Sequence, residues 1–231
     1  MATKKQIEEF ISRIAPCAVN AYEILGKVKP SICIGMACVE SAYGTAGSCK
    51  HNSYLGHKVG SGRTAKKYWD GKFFKSRTSE EYTVGVHTII TDAFRAYESM
   101  QQCVLNFYEL MNSSLYKKVL AKSDYKTQIQ QIKTCGYMTS STEVSSVLAI
   151  ISKYGLTKYD DVDSTGNVEY YPAYEGFSIS LAVALSSVGA DSSYNNRKKI
   201  AIANGIIGYK GTSAQNIKLL EMLKKGKLIK V

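Results

Sequence analysis

Glu40 lies near the end of the run Pro30-Ser31-Ile32-Cys33-Ile34-Gly35-Met36-Ala37-Cys38-Val39-Glu40-Ser41-Ala42-Tyr43-Gly44, a carboxylate at the polar end of an otherwise apolar stretch. Pro30 suits a first helical position, Ile32, Met36 and Val39 recur at helical spacing, and Gly44 supplies a left-handed stop. Glu40 then falls in the last helical turn, where the negative end of the helix dipole and an apolar wall both disfavour the ionised form. A carboxyl held protonated in this way suits general-acid chemistry. An arbitrary Glu at a helix end is more often a solvated charge, so the assignment needs a partner.

Cleaving a glycosidic bond calls for an acid on the leaving oxygen and a second group that stabilises or attacks the cationic sugar from the other face. Glu80 and Glu81, in Arg77-Thr78-Ser79-Glu80-Glu81-Tyr82, are the one adjacent acidic pair between the Glu40 helix and the next helical run. Asp70 precedes Gly71 and is explained by turn chemistry. Glu80 is therefore the preferred second carboxylate, with Glu81 one residue away as the alternative.

The elements that position these groups are mostly helices. Thr3 with Gln6 forms a capping box, and Ile7, Phe10, Ile11 and Ile14 make the buried stripe of a first helix predicted to end at Pro16. A second runs on to Gly26, the Glu40 helix is third, and later ones start near Ser99, Asp124 and Ser141, with stops at Gly136 and Gly155. Between residues 50 and 97 the periodicity changes. Tyr68-Trp69-Asp70-Gly71-Lys72-Phe73-Phe74 carries Asp-Gly between aromatic residues, a hairpin signal, and Val84-Gly85-Val86-His87-Thr88-Ile89-Ile90 is a β-branched strand candidate. This predicts a small β lobe inserted into a helical domain.

The chain has 231 residues, 45% hydrophobic content and a net charge of +11. That is enough for a real core, and the basic balance calls for an acidic partner. No stretch of eighteen apolar residues is present, and the chain opens on an amphipathic helix without a signal-peptide core, which predicts synthesis in the cytoplasm without membrane insertion. Cys17, Cys33, Cys38, Cys49, Cys103 and Cys135 lack metal-ligand spacing and read as reduced core residues, so neither metal nor cofactor is expected. Seventeen tyrosines against one tryptophan favour a surface that stacks on polar rings such as sugars.

The polar segment Asp160-Asp161-Val162-Asp163-Ser164-Thr165-Gly166-Asn167 reads as a linker, and 162–173 is the expected boundary region. From 174 to 231 the chain carries nine Lys or Arg against three acidic residues. Ser180–Gly189, Asn196–Gly205 and Thr212–Leu223 read as three short helices of a basic module. Arg197, Lys198 and Lys199 are its candidate ligand-binding residues, although such a run is also the ordinary make-up of a solvated face.

Along residues 1–161 several motifs occur in an order that resembles glycoside hydrolase family 73, the endo-β-N-acetylglucosaminidases of bacterial autolysins and phage lysins. They are Phe10-Ile11 with Ile14-Ala15-Pro16, Pro30-Ser31-Ile32 leading to Glu40-Ser41-Ala42-Tyr43-Gly44, Asn52-Ser53-Tyr54-Leu55-Gly56-His57-Lys58, Trp69-Asp70-Gly71-Lys72 followed by Thr78-Ser79-Glu80, Phe94-Arg95-Ala96-Tyr97, Gly136-Tyr137-Met138-Thr139 and Tyr154-Gly155-Leu156. Ser53 and His57 depart from the residues more usual in that family's turn. The resemblance implies a mainly α, lysozyme-like helical domain with a β-hairpin lobe, followed by the small three-helix domain. It further implies Glu40 as general acid, Glu80 as base or electrostatic stabiliser, and Tyr137 as a third catalytic-site residue whose hydroxyl bonds the N-acetylated sugar or the developing charge, with Tyr43, Asn52, Tyr97 and Tyr116 as groove candidates. The segment from 174 onward resembles the wall-binding modules of phage endolysins.

The expected substrate is the glycan strand of peptidoglycan, with an anionic wall polymer as the ligand of the basic module. The implied protein is a monomeric endolysin that reaches the wall after release from the cytoplasm. N-acetylmuramidase and lytic transglycosylase are the rivals on the same polymer. A non-catalytic wall-binding or DNA-binding protein is the rival from another class, and the linkage to a glycosidase-like domain favours the wall over nucleic acid.

Overall fold

In the computed structural model residues 2–60, 65–138, 140–161, 169–206 and 208–231 are described, and the chain divides into two compact units, 1–165 and 166–231. Helix α1 (Lys4–Leu25) starts at the Thr3–Gln6 capping box and continues through Pro16, where the sequence predicts a break. Proline inside a helix costs ~3 kcal/mol. Ile14 and Val19, on either side of it, are buried, and at about 1.5–3 kcal/mol per buried aliphatic side chain they offset that cost. One helix thus replaces the expected two.

Helix α2 (Pro30–Glu40) is buried from Pro30 to Cys38. Its N-terminal donors are met at a distance along the chain: Lys29 donates its amide to Gln128 Oε1 at 3.0 Å, and Ser31 donates amide and hydroxyl to the Asp160 carboxylate, both at 2.7 Å. A mostly apolar helix is held inside the domain in this way without orphaned amides at its start. α3 (Met100–Met111), capped by Ser99, packs on α1. α4 (Tyr125–Thr134) is capped by Asp124, and α5 (Glu143–Lys153) packs on α2. A Cβ added at Gly35 would lie 2.9 Å from Val147 Cγ1 and 3.1 Å from Ile151 Cγ1, so α2 and α5 approach at a contact that a larger residue would open.

The lobe is one antiparallel hairpin, β1 (Phe73–Thr83) against β2 (Val86–Arg95). Its turn is Val84-Gly85, with Gly85 at φ +80°, and not the expected Asp70-Gly71. Asp70 instead accepts the Lys72 amide and pairs with the Lys72 ammonium in a turn ahead of β1. The ladder shifts register between Glu80 and Thr83. The base of the lobe is fastened to α3 by Asn106, whose Oδ1 accepts from Arg95 Nη1 and the Tyr97 hydroxyl.

The second unit is built on α6 (Leu181–Ser187), α7 (Tyr194–Ala203) and α8 (Ser213–Lys224), capped by Ser180, Ser193 and Thr212. Leu181, Leu185, Ile200, Leu219 and Leu223 form its core. Tyr170 bridges to Ile229, and Tyr171 donates its amide to Leu228. Residues 169–173 therefore belong to this unit, although the sequence places them in a linker; 162–168 lie outside the described residues.

The six cysteines form no disulfide. Among the described residues no helix is long and apolar enough to cross a membrane, and no cluster of three or more His, Cys, Asp or Glu is placed to hold a metal ion.

Candidate active site

Glu40 ends α2 immediately before a tightly wound turn in which Ala42, Tyr43 and Gly44 all have positive φ. The left-handed stretch thus begins two residues before the glycine that the sequence marks. Two non-glycine residues there cost roughly 1–2 kcal/mol each. The buried Ser41 hydroxyl helps to fix them, donating to Ala37 and accepting the Gly44 amide.

The Glu40 carboxyl faces a cleft of about 430 Å³. One wall is the loop after the turn, with Ser48, His51, Ser53 and Gly56; the other is the hairpin. Strand periodicity puts Phe74, Ser76, Thr78 and Glu80 on one face of β1, and the first three of these line the cleft. Phe74 stacks on His51 at 4.2 Å between ring centroids, which ties the hairpin to the loop across from it.

Glu80 is buried, and its Oε1 accepts from Lys58 Nζ at 2.9 Å and Thr78 Oγ1 at 3.3 Å. Lys58 also pairs with Asp92 at 3.2 Å. Lys58 is held there because residues 57–59 run along the end of β2: Arg95 donates its amide to His57 and Val59 donates to Ala93. Gly56, at φ +63°, brings the same loop against Glu40, since a Cβ on it would meet Glu40 Oε2 at 2.6 Å. Burial is the first cause that raises Glu40, to about 8; a hydrogen-bonded neighbouring carboxyl, Glu143, and the charge of Glu80 act in the same direction, and Lys58 opposes them. A carboxyl so placed is protonated at neutral pH.

Glu81 has a different environment from Glu80. Its carboxylate accepts from the Gly85 amide at 2.7 Å and from the Ser141 amide and hydroxyl at 2.7 and 3.0 Å. These donors hold it down at about 2. Glu81 is thus a fastening between the hairpin tip and the segment before α5, and Glu80 is the member of the pair whose charge reaches Glu40.

The tyrosines divide. Tyr137 donates its hydroxyl to Leu55 at 2.7 Å and packs edge-on against His57 and Phe107. With Gly56, Lys58 and Tyr116 it lines a second pocket of about 290 Å³ that shares Gly56 with the Glu40 cleft. Tyr97, expected in the groove, is in the core: it donates to Asn106 at 2.8 Å and lies 2.7 Å from His57 Nδ1. The resemblance implies a groove residue at this position, and the buried amide of Asn106 draws the Tyr97 hydroxyl inward instead. Asn52 is a fastening as well, donating to the Tyr97 carbonyl and accepting the Tyr54 hydroxyl. Tyr116 is mostly buried, and Tyr43 is half-buried toward Cys38 and Tyr154. In the second unit Lys198 and Lys199 are exposed and Arg197 is half-buried.

Two residues that the sequence left without a role meet this site. Lys58 stands in the Gly56-His57-Lys58 motif, and its pairing with Glu80 arises from strand docking. Glu143 reads in sequence as an acidic first-turn residue of a helix, an ordinary dipole partner; its approach to Glu40 depends on packing between helices about a hundred residues apart.

Residues 15–156 match the model of the glucosaminidase family, described as mannosyl-glycoprotein endo-β-N-acetylglucosaminidase. The chain is 27% identical over 238 residues to the exo-glucosaminidase LytG of Bacillus subtilis, spanning 90% of this chain and 81% of that one. The fold is similar to a crystal structure of a peptidoglycan hydrolase mutant from Sphingomonas sp. A1, at a TM-score of 0.55 and 25% identity over 65% of this chain and 96% of the other. The catalytic domain of the autolysin Auto from Listeria monocytogenes gives 0.52 and 25% over 69% and 90%.

Proposed function

The chain belongs to the glucosaminidase family, and from that premise we propose that it cleaves the glycan strands of peptidoglycan on the reducing side of N-acetylglucosamine, with Glu40 as the general acid. It is a glycoside hydrolase that acts on peptidoglycan. The observation that supports the residue assignment is the Glu40 carboxyl, which lines the cleft and is raised by burial, with the charge of the Lys58-bound Glu80 acting on it.

Glu40 protonates the glycosidic oxygen as the bond to the anomeric carbon breaks. Glu80 supplies the negative charge that steadies the cationic sugar or draws a proton from the attacking water. Tyr137, through its bond to Leu55, keeps the wall next to Gly56 rigid. Purified cell walls treated with Glu40→Gln should show at least about a thousandfold slower clearing with an unchanged circular-dichroism spectrum; clearing at the wild-type rate removes the assignment. Reducing-end analysis of the digest fixes the bond: a free N-acetylglucosamine end is expected, whereas a free muramic acid end or an anhydro end would make the enzyme a muramidase or a lytic transglycosylase.

The basic second unit is the wall-binding part of this reading, with Arg197, Lys198 and Lys199 taking an anionic wall polymer. Together the two units form an endolysin that acts on the wall after release. The three-helix core and the charge of the unit support this. A fragment from 169 onward should sediment with bare walls and leave DNA unretarded at physiological salt; the reverse result points to nucleic acid.

A further inference from the structure

We propose that Glu143 is a positioning residue for the acid step, its carboxyl sharing the proton of Glu40 across the α2–α5 contact and holding it there until the glycosidic oxygen takes it. This rests on Glu40 being the acid.

The register of two helices brings the pair together. The close contact of Gly35 with Val147 fixes α2 against α5. Glu40 lies five residues after Gly35 and Glu143 four before Val147, so at 1.5 Å per residue the two rise about 7.5 and 6 Å from the same contact. With Gly35 against Val147 and Glu40 acting on Glu143 the two helices run antiparallel, which sets both carboxyls at one level, near enough for each to shift the other's titration. Glu143 Oε1 is buried with no protein donor in reach. A buried carboxylate oxygen in that position is costly unless a neighbour carries a proton to offer it. The carboxyl of Glu40 is that neighbour.

The charged and titratable groups around the pair are few. Glu80 adds negative charge from β1, Lys58 and Lys133 oppose it from the loop and from α4, and Tyr137 feels Glu40 from the wall of the adjoining pocket. Lys133 is itself engaged with the Ser140 carbonyl, just before α5. One proton on two adjacent carboxyls titrates as a pair, and repulsion between the two anions keeps that proton bound at neutral pH. When Glu40 gives its proton to the leaving oxygen, two carboxylates are left side by side. Proton return from the water that completes hydrolysis relieves the repulsion.

The test is the pH profile of wall clearing for wild type, Glu143→Gln and Glu143→Asp, each checked for folding by its thermal melt. Gln removes the second anion and donates a hydrogen bond to ionised Glu40, so the alkaline limb should move down by about one pH unit or more, while Asp should bring it back toward wild type. A folded Glu143→Gln enzyme with the wild-type alkaline limb overturns the proposal. Carboxyl ¹³C NMR of the Glu-labelled wild-type protein needs no variant: a pair titrating in two steps, one above pH 6, is expected, and every Glu titrating singly below pH 5 overturns it. If Glu40→Gln still clears walls, the acid assignment fails, a result separate from either of these.

Discussion

The proton on Glu40 carries a cost that can be measured apart from catalysis. The native carboxyl keeps its proton up to about 8, and an unfolded one releases it near 4.5. Between those values the native state binds more protons than the unfolded state, so this group's contribution to stability falls as pH rises through the window. Glu40→Gln keeps the shape and has no proton to lose. Its melting temperature should exceed that of wild type by about 2–8 °C at pH 8, with the difference closing below pH 4.5. A variant that is inactive yet more stable at alkaline pH marks a site where chemistry is bought with stability; equal melting at pH 8 would mean that Glu40 is solvated. Gly56 offers a steric counterpart. Gly56→Ala forces a Cβ toward Glu40 Oε2 and demands a left-handed alanine, costing roughly 1–2 kcal/mol in backbone strain. Because the methyl would also displace Glu40, the proposed acid, wall clearing should drop by about a hundredfold, far beyond what the lost stability explains. Retained clearing would show that the loop moves away freely.

The hairpin is the element whose placement the chemistry depends on, and Glu81 fastens it. Native Glu81 releases its proton at about 2, against 4.5 when unfolded. Its contribution is therefore complete above pH 4.5 and is lost as pH falls toward 2. Glu81→Gln should abolish that part of the acid sensitivity, speed hydrogen exchange at the Gly85 and Ser141 amides, and slow wall clearing about tenfold by loosening the strand that holds Glu80. Unchanged exchange would leave the fastening without effect. Elements like this one also show how far the sequence could be read. Helix starts were legible where a short polar side chain closes its own first turn, as at Thr3, Ser99, Asp124, Ser180 and Thr212. The apolar setting of Glu40 was legible because its helix is apolar on nearly every side. Pro16 misled because the local rule was outweighed by core burial on both sides, and Asp70-Gly71 because Val84-Gly85 closes the hairpin with the Glu81 carboxylate supplying the missing polar partner. Glu143 and Lys58 were beyond local reading, since their roles arise from helix packing and strand docking across long stretches of chain.

At the scale of the whole molecule the charge is uneven, with nine basic and three acidic residues from 174 onward against a total of +11. A catalytic unit working on an insoluble polymer gains from a second unit that stays attached between cuts, because attachment raises the effective concentration of strand at the cleft without altering any contact there. The proposed division of labour therefore predicts a substrate-dependent loss. Removing residues 166–231 should slow the clearing of intact walls by about tenfold or more, and added salt should weaken wall attachment of the full chain more than that of the truncated one. Soluble glycan oligomers, which need no anchoring, should be cut at nearly the same rate by both proteins. An equal loss on both substrates would instead mean that the second unit supports the fold of the first. No loss on walls would reduce Arg197, Lys198 and Lys199 to a solvated face.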